Sequence, residues 1–147
     1  MLLLTFRAAG QRYAVDAARV AEVVPRVRLR ALPHAPPHLA GMFEYRGEVV
    51  TAVDLGVMLG STPAPDRLST RIVLVERRSD PGAADAPRSL LGLIAEDVDE
   101  LAPVDPAALV PPLVAIPSAP YLGGVAEVGS DMVQFLHVDR LLDAPPP

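Results

Sequence analysis

The sequence of 147 residues predicts an all-β fold of barrel type with two halves. Three observations lead there. Apolar residues recur at a period of two in about ten short runs, as half-buried strands require. Glycine, proline and aspartate mark the breaks between those runs, and only two or three short stretches carry helical spacing. Half of the residues are hydrophobic but only 4% are aromatic, so the core must be aliphatic. The strand–helix–strand pattern around 1–30 and the hairpin–helix pattern around 42–60 do not fit one small barrel without a long sheet. Two halves are therefore expected, and barrel closure would protect the apolar strand edges.

Each element follows from its residues. Leu2, Leu4 and Phe6 alternate with Leu3 and Thr5, and Ala9-Gly10 turns the chain into Arg12–Val15. Asp16 is placed to cap a short helix over 17–24, with Val20, Val23 and Val24 on its apolar side and Arg19 and Glu22 outward. Arg26, Val27, Arg28, Leu29 and Arg30 alternate as a strand with a basic face. Pro33, Pro36 and Pro37 impose an extended crossing, with a single helical turn at 38–40 before Gly41. Residues 42–44 and 48–53 form a hairpin around Tyr45-Arg46-Gly47. Asp54 caps a helix bearing Leu55, Met58 and Leu59, which Gly60 stops. A proline-marked loop fills 61–69, a strand runs over 71–76, and 77–89 lacks apolar periodicity and reads as a mobile loop. Leu90–Ile94 resume a buried strand that continues through Val98 and Leu101 after a bend at Glu96-Asp97. Residues 102–120 hold six prolines and form an irregular crossing packed by Leu109, Leu113, Val114 and Ile116. A last hairpin joins 123–128 to 132–138, and Asp139 caps a terminal turn. Phe6, Val15, Val53, Leu74, Leu93, Val125 and Leu136 are the expected core.

Composition removes whole classes of chemistry. There is no cysteine, which excludes disulfides, thiol nucleophiles and thiolate metal sites. All 13 basic residues are arginines, so Schiff-base and P-loop lysines are excluded as well. The net charge of -5 argues against a general nucleic-acid surface. It is unevenly spread: the first 50 residues carry seven arginines and four acids, the rest six and fourteen. No segment has the length of a signal h-region or a membrane span, and a cytoplasmic location is expected.

The polar clusters weigh toward binding. His34 and His38 have the spacing of a helical zinc pair, but Pro36 and Pro37 intervene and the acid of that motif is missing. His137 lies at a strand end and titrates near neutrality when unperturbed. Glu96, Asp97, Asp99 and Glu100 form the densest acidic group, the basis for an alternative function as a small hydrolase. A β domain that senses a small ligand is the other alternative. Arg46 at a hairpin tip is a donor fork for a partner's carboxylate or carbonyl, and Val20, Glu22 and Val23 are either core with a solvated face or the rim of a docking groove.

The order of LLTFRAAGQRYAVDAARVAEVV, LRALPHAPPHLAGMFEYRGEVVTAVDL, TRIVLVERR, LLGLIAEDVDEL and PYLGGVAEVGSDMVQFLHVDRLL resembles the CheW-like family of chemotaxis coupling proteins over nearly all of 2–142. The resemblance implies two packed five-stranded SH3-like β-barrels with short helices, within a single CheW-like domain over 1–147. It implies no catalytic activity, no cofactor and no metal. Its partners would be the regulatory domain of a histidine kinase and the cytoplasmic hairpin of a methyl-accepting chemoreceptor, with membrane association only through the receptor. Partner contacts carry over onto Val20, Glu22, Val23, Arg46 and Gly47. Thr51, Glu96 and His137 replace residues usual in the family, and at His137 the change would alter a contact near the seam between barrels.

Overall fold

The computed structural model describes residues 1–78 and 88–142. Nine strands dominate them: β1 (Leu2–Ala8), β2 (Gln11–Asp16), β3 (Val20–Pro25), β4 (Leu39–Tyr45), β5 (Glu48–Asp54), β6 (Thr70–Arg78), β7 (Arg88–Pro103), β8 (Leu122–Val128) and β9 (Asp131–Leu136). A single-turn helix, α1 (Leu55–Met58), follows β5, and 3₁₀ turns lie at Ala17–Arg19, Pro106–Ala108 and Val138–Arg140.

The 16-residue strand β7 organises the fold. Its first part pairs with β6 on one side and, in parallel, with β5 on the other. Its second part, from Glu96 onward, pairs with β1. The change of partner coincides with a register shift opposite Thr5 and Arg7, and with a positive φ of 48° at Asp97, where the sequence predicts a bend. Two groups of five result, each sharing β7: β4-β5-β7-β6-β3 and β7-β1-β2-β9-β8. β3 and β8 end the path of ladders, apart from isolated bridges such as Val110 to Val125.

Strand alternation distributes the apolar residues over three clusters. Ile72 and Leu74 of β6 point with Val50, Ala52 and Ile94 into the first group's interior. Leu3, Ala14, Ala102, Val128 and Val133 fill that of the second. Val73, Val75, Leu91 and Leu93 point the other way and meet Leu4, Phe6, Val15 and Leu136 in the largest cluster, a seam between the groups. Strands buried on both faces explain the nearly continuous apolar runs. Of the expected core, Phe6, Val15, Val53, Leu74, Leu93 and Leu136 are fully buried, whereas Val125 is half-buried.

Several local expectations are overturned. Asp16 does cap, accepting from the Ala18 amide at 3.0 Å, but one 3₁₀ turn follows and the chain extends into β3. The β-branched valines at 20, 23 and 24 favour the strand, and pairing with β6 selects it. Residues 26–30 form no ladder; only Arg30 bridges to Met42. Leu39 starts β4 where a helical turn was expected, because β5 is there to pair with it. Leu113, Val114 and Ile116 are exposed rather than packed, in a proline-marked segment of bends and turns that joins no strand ladder. Asp139 is no cap: the 3₁₀ turn at 138–140 starts from His137 without a side-chain bond. Most of the expected mobile loop, 79–87, lies outside the described residues, while its flanks at 77–78 and 88–89 are paired strand.

Candidate functional site

The β4–β5 hairpin closes on Tyr45 and Glu48, leaving Arg46 and Gly47 as a two-residue loop. Both have positive φ, 48° and 80°, the pattern of a type I′ turn, whose twist matches that of the strands it joins. Gly47 adopts this freely. A side chain at Arg46 makes the same conformation unfavourable by about 1 kcal/mol. Arg46 is thus carried at the tip of a tight hairpin, and its side chain is 75% exposed.

Glu22 arrives from β3, 24 residues upstream. Its Oε2 accepts from the Tyr45 hydroxyl at 2.6 Å and its Oε1 from Arg46 Nη2 at 3.3 Å. The Arg46 guanidinium carbon lies 5.1 Å from the centre of the Tyr45 ring. Hydrogen bonding to Glu22 raises the Tyr45 phenol above its ordinary pKa, burial adds to this, and Arg46 partly opposes it. Glu22 lies 24 positions from Arg46, and strand pairing rather than sequence spacing brings the two together. Tyr45 enters the site as well, a role beyond the turn whose signal in the sequence is its place beside Arg-Gly in a chain with six Tyr and Phe residues.

A bulge in β3 divides the expected binding residues. Val20 pairs with Val75 and Glu22 with Leu74, so Ala21 is the extra residue. Val20 and Val23 therefore share the face of Val75 and Val73, toward the seam, where Val20 packs in part and Val23 is exposed at its margin. Glu22 lies on the other face with Val24. The structure thus joins Glu22 to Arg46, whose turn Gly47 completes, and sets Val20 and Val23 apart.

The arrangement sets a carboxylate from one strand against an exposed arginine and a tyrosine hydroxyl at the tip of another pair of strands. Residues 2–145 match the CheW-like domain. The chain belongs to that family. It is 28% identical over 109 residues to a probable chemotaxis protein CheW of Rhizobium etli, an alignment covering 74% of this chain and 64% of that protein. It is 22% identical over 141 residues to the chemotaxis protein CheW of Rhizobium meliloti, covering 95% and 85%. The crystal structure of the scaffolding protein TtCheW from Thermoanaerobacter tengcongensis superposes with a TM-score of 0.80 at 24% identity, over 99% of this chain and 90% of that one. CheW-like domains are non-catalytic.

The remaining candidates in this CheW-like chain take structural places. His34 sits in a turn at φ 62°, and the His38 carbonyl accepts the Asp54 amide at 2.8 Å. Asp54 is buried, and its carboxylate accepts from the Val57 and Ala64 amides, as a helix cap does. Glu96 lies in register with Arg7 on β1, and Glu100 binds Arg12 at 3.2 Å, so these two acids take separate partners along β1 and β2. Among the described residues no three metal-ligating side chains come together, and no helix is long and apolar enough to cross a membrane. Thr51 is paired on both sides, with Met42 and Leu91.

Near His137 lies an arginine–carboxylate pair that no sequence spacing announces. Asp139 receives two hydrogen bonds from Arg19, at 3.1 and 2.5 Å, and one from the Arg78 amide at 2.9 Å. Arg19 holds the Asp139 carboxyl below its usual range. The His137 ring packs edge-on against Phe135 with centres 5.0 Å apart, and burial lowers its pKa, helped by Arg140 and opposed by Asp139.

Proposed function

We propose that this CheW-like chain is a non-catalytic cytoplasmic adaptor that couples the hairpin tip of a chemoreceptor to the regulatory domain of a sensor histidine kinase. It meets the membrane only through the receptor. In this proposal its two groups of five strands are two SH3-like barrels of a single domain spanning 1–147. Glu22, Arg46 and Gly47 form the polar part of the partner surface, and Val20 and Val23 an apolar part on the adjoining face. The observation that carries the assignment is the exposed guanidinium, presented on a type I′ turn and touched among the described residues by the half-exposed Glu22 carboxylate and the Tyr45 ring. Family membership supplies the kind of partner. A partner's carboxylate or carbonyl competes with Glu22 for a fork already in place, so little side-chain entropy is lost on docking.

Titration of the chain with a receptor hairpin fragment, and separately with the kinase regulatory domain, tests this. Arg46→Asn suits the left-handed turn while removing the fork, and should weaken binding of at least one partner by about 1–3 kcal/mol. Arg46→Lys should recover part of that, because a point charge lacks the fork. Unchanged affinity for both partners in a folded Arg46→Asn protein removes Arg46 from the interface.

A further inference from the structure

The far end of the strand path carries an apolar face that the fold leaves in water. Residues 106–126 include no charged side chain and no histidine, the longest such run in the chain. Their first part leaves β7, touches β8 through one bridge, Val110 to Val125, and then projects Leu113, which is fully exposed. Pro111 and Pro112 fix the backbone there, so Leu113 is presented rather than free to fold back. Met132, at the start of β9, is 71% exposed. Beside Leu113, an open and largely apolar groove of about 460 Å³ is lined by Val110, Pro111, Pro112, Val125 and Met132, with Glu127 its only charged lining residue.

We infer that this face is the contact between two copies of the chain, paired about a two-fold axis so that Leu113 of each copy enters the groove of the other. Projection and groove lie side by side on one face, which makes the face self-complementary, as an isologous contact requires. Charge favours the same occupant. Copies of a chain with net charge -5 repel one another, and they approach with least repulsion on the face where charge is sparsest, here a single glutamate, Glu127, among the described lining residues. A charged partner gains nothing there, in contrast to the surface around Arg46. Area sets the strength. Burying Val110, Leu113, Val114, Ile116 and Met132 removes on the order of 500 Å² per copy. Doubled, this is near the lower bound for a specific interface, about 1,000 Å², the size of a reversible rather than a permanent contact.

Sedimentation of the full chain from about 1 to 500 µM tests the inference. The weight-average mass should rise from 15.5 kDa toward twice that value. Leu113→Asp and Met132→Asp change exposed residues and should keep the melting temperature while weakening association at least about tenfold. Arg46→Asn should leave association unchanged. A chain monomeric throughout the range overturns the inference, as does a dimer that Leu113→Asp does not weaken. It is also overturned if the chain stays monomeric and Leu113→Asp instead weakens binding of the receptor fragment or kinase domain, which gives the face to that partner.

Discussion

Arg19–Asp139 and Arg46–Glu22 are both arginine–carboxylate pairs, yet they do different work. In the first, two parallel hydrogen bonds join side chains 25% and 18% exposed. Arg19 also donates to the Glu76 carbonyl, and Asp139 accepts the Arg78 amide, so one pair ties the end of the chain to β6 and to the turn before β3. In the second, a single 3.3 Å contact joins side chains 75% and 38% exposed, and the arginine stands on a strained turn. Multiplicity and shielding from water make the first a clasp within the fold. Exposure makes the second worth at most about 1 kcal/mol to stability and leaves it open to exchange with a partner.

Four experiments bear on that contrast, beginning with the largest effect. Leu74→Ala touches neither pair and sets the scale: burial in the first interior should make it cost about 2–5 kcal/mol in a denaturant titration. Asp139→Ala should cost about 2–3 kcal/mol, because it removes three hydrogen bonds and leaves a partly shielded guanidinium unpaired. A loss no larger than that of an exposed pair would erase the distinction. The pH dependence sharpens it. Since the folded carboxyl of Asp139 titrates below its unfolded value of about 3.9, its contribution is complete above that pH and fades as pH falls through the folded pKa. Melting curves of the parent and of Asp139→Asn should therefore converge in acid and stay apart at neutrality; a constant gap would place the effect outside this ionisation. The smallest effect belongs to the exposed pair. Glu22→Gln should change stability by less than about 1 kcal/mol. It should also let one tyrosine titrate closer to its ordinary pKa of about 10 in an absorbance titration, because the carboxylate that raises Tyr45 is gone. Superimposable titrations would show that the bond to Glu22 does not govern Tyr45.

The two pairs also mark how far the sequence could be read. The β4–β5 hairpin, the Asp54 cap and the bend at Glu96-Asp97 were legible because turn chemistry and alternation act over a few residues. Arg46 and Gly47 were legible as a tip, and the family resemblance carried Glu22 to the same surface. That the two touch was not legible, since the contact depends on which strand lies beside which. Arg19 and Asp139 stand 120 positions apart and left no local trace.

By itself, the sequence determined an aliphatic all-β chain with nearly every strand in place, the exclusion of cysteine and lysine chemistry, and the family. Tertiary structure alone decided that residues 20–25 become an edge strand, because a short valine-rich segment suits helix or strand until a partner such as β6 pairs with it. It decided that the bulge at Ala21 turns Glu22 toward Tyr45 and Arg46 while Val20 and Val23 face the seam, since one inserted residue reverses the side on which every later side chain emerges. And it decided that Leu113 stands in water, because what covers an apolar side chain depends on packing between distant parts of the chain and not on its own hydrophobicity.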